Sequence, residues 1–538
     1  MRPAGSSAHY DGNSYGEKAG PSRTQVAPFA PSANKSGANM SRAGVTKTTP
    51  NSKKAMSLRT VIPPSPSVPQ ISGQLERPEM AQPASGQTRR AILGGGLAVA
   101  AWGIRGSAGA DTPVPSAQSF MRFEAAPAQF QLGPPPAEAA TAYAYEGAIP
   151  GPLLRLRQGE ELKLKFANRL AEPTTLSFPG LRAPNVSAGV GGLTRERLKP
   201  GASTEIRFVA PDAGFNLYLP HAGSFDAGQQ GRGLFGPIIV EEAVKADVDL
   251  DAAIVLSDWN VEASGQIKDD FSDPAFGRRS GRRGALVFAN GAAAPLKLAA
   301  RPDARVRLRL GNAATARLAT IAVEGAKSLI VAVDGQPSEP FEPLNNQFPM
   351  GPGARFELMF DMPRDLGASV RLILRGDVGE TDRQFVAVVA DGEPIAARAA
   401  PPRLAANPLL PAEIALESAR RCDFAITGGG SAPFAVNGTT FVDWSTKPSY
   451  VLPRGAPAVF ALANKTAFVQ ALRLWGHAAR LLHSMDDGWE PYWRDTILIQ
   501  PGRTVHIAFV ADNPGKWPLE STIPEHRAAG VGTWFEVS

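Results

Sequence analysis

Chemistry in this chain must come from few imidazoles and one thiol. Beyond residue 110 there are five histidines, His221, His477, His483, His506 and His526, and one cysteine, Cys422. A metal site usually needs two or more convergent donors, so His221 and His526, far apart in sequence, read first as hydrogen-bonded core residues. His477 and His483 lie in strand context, and a shared metal is not expected of them. Cys422 cannot form an intramolecular disulfide and reads as a buried small hydrophobe. Trp489, Tyr492 and Trp493 form an aromatic cluster, read as packing with a partner or ligand surface as the alternative. There is no Gly-x-Ser-x-Gly elbow, phosphate loop or metalloprotease helix motif. No two carboxylates are paired by sequence for acid–base work.

The elements that would position these residues are short strands. Apolar stretches at 162–166, 205–209, 236–240, 253–257, 305–310, 329–333, 355–360 and 385–389 alternate with turns. Period-two alternation is plain in Arg305-Val306-Arg307-Leu308-Arg309-Leu310. Asn290-Gly291, Asp334-Gly335 and Asn437-Gly438 are turn signals. Glycine and proline are abundant, at 54 and 49, and long amphipathic helices are hard to find. The pattern predicts an all-β chain of sandwiches. An acidic joint near 241–251 and a proline-rich joint near 399–411 divide it into three parts, placed at 111–245, 246–400 and 401–538.

The three parts resemble the three cupredoxin domains of multicopper oxidases over nearly all of 115–538. The first carries Gly147-Ala148-Ile149-Pro150-Gly151-Pro152 and Gly233-Leu234-Phe235-Gly236-Pro237-Ile238-Ile239-Val240. The second carries Arg307-Leu308-Arg309-Leu310-Gly311-Asn312, Val333-Asp334-Gly335-Gln336-Pro337 and Gly351-Pro352-Gly353-Ala354-Arg355. The third carries Trp493-Arg494-Asp495-Thr496 and Ala511-Asp512-Asn513-Pro514-Gly515-Lys516-Trp517. The resemblance implies three tandem Greek-key β-sandwiches of cupredoxin type. It also implies a type 1 copper held by two His and a Cys, and a three-copper cluster held by eight His, set in four histidine motifs.

Those motifs are degenerate here. His-x-His-Gly is Ser177-Phe178-Pro179-Gly180, and the second His-x-His is Leu219-Pro220-His221. In the third motif the ligand positions are Gln470, Arg473 and Trp475. In the fourth, Glu520-Ser521-Thr522 stands for His-Cys-His, His526 keeps its imidazole, and Val531 stands at the axial position. Only His221 and His526 survive of eleven His and Cys positions, and they belong to different sites. Phe178, Leu219 and Trp475 are expected to fill the space left by metal. Arg473 and Glu520 are expected to meet as an ion pair across the interface of the first and third domains, because a lone buried charge is costly. No catalytic residue and no cofactor are expected.

The basic charge sits in the first 110 residues, which hold 13 Lys and Arg against 4 Asp and Glu; the remainder holds 43 against 46. Nucleic acid is therefore not an expected partner. Residues 1–79 read as a disordered or misassigned extension, with Met80 as the suspected start. Arg89-Arg90, the apolar run 91–104 and Ala108-Gly109-Ala110 read as a twin-arginine signal peptide at 80–110. The run is too short and glycine-rich for a stable membrane span. The expected location is the periplasm, reached through the Tat translocase. Three functions remain open at this point. The first is a copper-free binding or scaffold protein of the SufI/FtsP type, linked to cell division or envelope stress, with periplasmic or envelope proteins as partners. The second is a copper-dependent, laccase-like oxidase of phenols or metal ions. The third is a small-molecule binder using the former substrate pocket near His526, Trp489 and Trp493.

Overall fold

The computed structural model describes residues 119–133, 137–377, 379–401, 403–483 and 488–538. Arg89, Arg90 and the rest of the expected signal peptide lie outside them. The strands make six sheets in three successive pairs. The first pair spans 121–241 with four and three strands, the second 250–390 with seven and five, and the third 420–537 with five and five. Every strand expected above falls within an observed one.

Side-chain alternation makes these elements. In Glu161–Asn168, Leu162, Leu164 and Phe166 are buried, while Lys163 and Lys165 point away from the core. Leu164, Phe166 and Ile206 then pack against Leu154, Ile238 and Val240 of the facing sheet. Burial of such side chains contributes roughly 1.5–3 kcal/mol each. The three pairs repeat one topology. In each, the opening strand runs parallel to a later one: Met121–Phe130 to Glu161–Asn168, Leu250–Trp259 to Arg305–Asn312, and Arg420–Gly429 to Pro457–Asn464. Each later strand next pairs antiparallel. A parallel neighbour demands a crossover rather than a hairpin, which gives a sandwich its Greek-key character.

The turn signals are met. Both residues of Asn290-Gly291, Asp334-Gly335 and Asn437-Gly438 have positive φ, as primed hairpin turns require. Leu217, Phe235 and Ile239 of the first pair share a core with Val255, Trp259 and Phe288 of the second. Beside four single 3-10 turns, three short α-helices occur among the described residues: α1 (Asp226–Gly231), α2 (Pro274–Gly277) and α3 (Pro524–Ala528). Each belongs to a different sandwich, and α3 touches both others. Among the described residues no helix is long and apolar enough to cross a membrane.

Candidate functional site

The degenerate motif positions converge in two places. In the first sandwich, Ser177 and Leu219 exchange backbone hydrogen bonds at 2.8 and 3.0 Å, and the Ser177 hydroxyl donates to the Leu219 carbonyl at 2.7 Å. In the third, strand Gln470–Leu474 pairs antiparallel with Gly515–Ser521, which sets Arg473 opposite Glu520. These segments face one another across a cavity of about 30 Å³. Ser177, Pro179, Leu219, His221, Arg473, Trp475, Glu520, Ser521 and Thr522 line it, together with Gln230, Gly353 and Arg527. That volume accommodates about one or two waters.

An ionic network fills the rest of the space. One oxygen of Glu520, Oε1, lies 2.9 Å from His221 Nε2 and accepts from Trp475 Nε1 at 2.9 Å and Arg527 Nη1 at 3.3 Å. Arg527 also donates to Asp226, at the start of α1, at 2.5 Å. Asp226 in turn accepts from the backbone N–H groups of Ala222 and Gly223. Burial pushes the Glu520 carboxyl upward, but Arg527, His221 and Trp475 together hold it below the usual carboxylate range. His221 is 2 % exposed. Its ring is flanked by Trp475, edge-on at 5.5 Å, and by Trp444 at 6.2 Å.

The expected Arg473–Glu520 ion pair does not form. Facing each other in register does not bring the two charges together, because each has a better partner on another side. Arg473 reaches into the second sandwich, where Nη2 donates to the Gly353 carbonyl at 2.7 Å, and its Nε lies 3.4 Å from Asp495 of its own sandwich. Glu520 turns towards Arg527 and His221, so at this site His221–Glu520 and Asp226–Arg527 join the first and third sandwiches, which Arg182–Asp512 and Asn185–Lys516 also bridge elsewhere. Burial lowers the Arg473 guanidinium to about 10 despite Asp495. Phe178 also departs from its expected role: it packs on Phe208 at 5.1 Å within the first core and does not line the cavity. Leu219 and Trp475 do line it.

The second convergence holds Gln470, Ser521, His526 and Val531. His526 Nε2 donates to the Arg279 carbonyl at 2.7 Å, and its Nδ1 lies 3.3 Å from Gln470 Oε1, while the Gln470 amide nitrogen donates to Thr466. Arg279 follows α2, a helix begun by Pro274 and capped by Asp273. The second sandwich therefore lays backbone over the outer edge of the imidazole, and His526 is fully buried. Burial depresses its pKa to about 4. The Ser521 hydroxyl donates to the Ala471 carbonyl at 3.2 Å and accepts from the Ile523 N–H at 3.1 Å. Val531 is buried among apolar side chains.

The donor set does not fit copper. Arginine and tryptophan offer only N–H donors, and Leu219, Pro179 and Val531 offer no side-chain lone pair. One imidazole remains at each place, without the thiolate and histidines that copper favours. Among the described residues no three His, Cys, Asp or Glu side chains converge as metal ligands. Cys422 lies 2 % exposed in the third core, where burial pushes its thiol up to about 11. His477 is enclosed by Phe509, Trp517 and Phe535, and burial depresses it to about 4.

Trp489 and Trp493 are not brought to His526, which touches Phe434 instead. Arg480 stacks over Trp493 at 4.8 Å, and Tyr492 stacks on Phe341 of the second sandwich at 5.3 Å. The cluster packs one sandwich on the next. Sequence reasoning missed Asp226, Arg527 and Glu525. Arg527 and Glu525 flank His526 inside the fourth motif, a signal that was available. Asp226 carries none. Glu525 is 3 % exposed, neither of its carboxylate oxygens has a hydrogen-bond partner, and burial raises its pKa to about 7.

The chain is similar in sequence and fold to known proteins. Two family models, each described as multicopper oxidase, match residues 130–245 and 412–538. Multicopper oxidase MmcO of Mycobacterium tuberculosis is 24% identical over 444 residues, covering 76% of this chain and 84% of that one. Cell division protein FtsP of Yersinia pestis is 28% identical over 250 residues, 45% of this chain and 51% of its own length. The crystal structure of a multi-copper oxidase from Pseudomonas thermotolerans superimposes with a TM-score of 0.71 at 30% identity, covering 78% of this chain and 99% of that one. With both its terminal sandwiches matched by those models, and its strands superimposing on the whole of a solved relative, this chain belongs to the multicopper oxidase family.

Proposed function

We propose that this protein is an exported, copper-free member of the family that works by binding, as a scaffold for other envelope proteins. The observation that supports this reading is the His221–Glu520–Arg527–Asp226 network, in which hydrogen bonds among protein side chains link motif positions where the resemblance implies copper ligands. The backbone cover over His526 adds to it, since an electron donor has no open imidazole edge to approach. The partial likeness to proteins named for cell division favours a role of the SufI/FtsP type. The apolar run behind Arg89-Arg90 favours export through the twin-arginine route to the periplasm.

Elemental analysis tests the reading. The protein would be expressed or refolded with excess copper, dialysed, and measured for copper and for blue absorbance. Near-zero copper with no colour is the expected result. A full complement of copper would overturn the proposal and restore the laccase-like reading, which the relatives named multicopper oxidase favour.

A further inference from the structure

A cavity in the first sandwich lies outside both convergences. It encloses about 280 Å³, close to the lower end of small-ligand sites, roughly 300–1,000 Å³. Its floor is apolar: Phe166 and Ile206 from strands Glu161–Asn168 and Ser203–Val209, and Leu176. Its lip is cationic, with Arg195, Arg197 and Lys199 against one carboxylate, Glu196. Thr175 separates it from the degenerate site, because its hydroxyl is engaged by the His221 backbone at 3.0 Å.

Arg195 is the telling group. It is half-buried, and among the described residues no carboxylate lies within ion-pair distance of it. Its Nη1 donates to Thr204 Oγ1 at 3.0 Å and to the Glu205 carbonyl at 3.1 Å. Those bonds fix the guanidinium, and among the described residues its Nε–Nη2 edge has no protein acceptor. Burial lowers its pKa and no neighbouring charge raises it, the mark of a cation without a counterion. The Nε–Nη2 edge matches a carboxylate bidentately.

We infer that this cavity binds a small organic carboxylate, seating its apolar tail on Phe166, Leu176 and Ile206 and its carboxylate on the free edge of Arg195. Charge complementarity sets the head group, and the apolar floor excludes a bare inorganic anion as the preferred occupant.

Calorimetric titration of the full-length chain with hexanoate tests this, with 1-hexanol and hexylamine in parallel. Saturable heat with hexanoate alone is expected. Arg195→Gln should weaken it ~10-fold or more, the scale of a charge-assisted hydrogen bond. Since Arg195 also braces the strand at Thr204, a second variant, Ala202→Leu, fills the cavity from its rim and should abolish binding while leaving the thermal midpoint without ligand unchanged. No heat with hexanoate, equal heat with hexanol, or indifference to both variants would overturn the inference.

Discussion

Glu520 stands where the resemblance implies a histidine, and its Oε1 meets three nitrogens, of His221, Trp475 and Arg527. Buried charge of this kind is stable only while each member keeps its partners. Glu520→Ala leaves Arg527 with Asp226 alone and His221 Nε2 without its bond. The expected loss is about 3–5 kcal/mol, the scale for breaking a buried pair, read as a lower urea midpoint. Glu520→Gln keeps an acceptor for Trp475 and His221 and should lose less. If the alanine variant unfolds with the parent, the network does not hold the sandwiches together. Position 520 was legible in the sequence because motif register fixed it. Its partners were not, because side-chain direction decides them: Arg473 stands opposite Glu520 on the next strand yet donates to Gly353.

Turns show what local sequence can and cannot tell. Asp334-Gly335 was readable as a hairpin turn because both residues need positive φ, which few residue pairs tolerate. Its second task was hidden. Asp334 Oδ2 accepts from the Asp495 and Thr496 N–H groups and the Thr496 hydroxyl, at 3.0, 2.8 and 2.7 Å. Thr496 begins strand Thr496–Ile499 of the third sandwich, so a turn of the second positions a strand of the third. Burial works to raise the Asp334 carboxyl, but Arg355 and these donors hold it below its usual range. Asp334→Ala leaves buried N–H groups unpaired at about 1–3 kcal/mol each. A loss of roughly 3 kcal/mol or more is expected by urea unfolding, and a loss under about 1 kcal/mol would show that water replaces the carboxylate. Strand Arg305–Asn312 carries the same lesson. Its alternation announced a strand, but nothing local announced that Arg305, Arg307 and Arg309 would all be buried. Asp361 and Glu357 on the antiparallel neighbour and Asp251 on the parallel one make that burial possible, strands remote in sequence but adjacent in the sheet.

At the scale of the molecule, α1, α2 and α3 bring one helix from each sandwich to a single junction, and Glu525 of α3 sits there without a hydrogen-bond partner. Burial raises its folded-state pKa from 4.5 to about 7. The folded protein therefore holds a proton that the unfolded chain releases above pH 4.5. Stability from this group is fully present below pH 4.5 and is lost as pH rises towards 7, on the order of 3 kcal/mol in all. His526 and His477 act in the opposite sense. Their folded pKa values lie near 4 against an ordinary 6.5, so their contribution is present above pH 6.5 and lost as pH falls towards 4. Between these limits the carboxyl offsets part of the histidine effect. Glu525→Gln removes the offset. The variant should match the parent below pH 4.5, and its advantage should then grow by about 1.4 kcal/mol per pH unit as Glu525 titrates. By pH 8 it should be the more stable protein. Urea midpoints of both chains from pH 4 to 8 read this directly, since titrating groups remote from Glu525 cancel in the difference. Parallel curves across that range would mean that water already solvates Glu525, and that the three-helix junction is open to solvent rather than sealed.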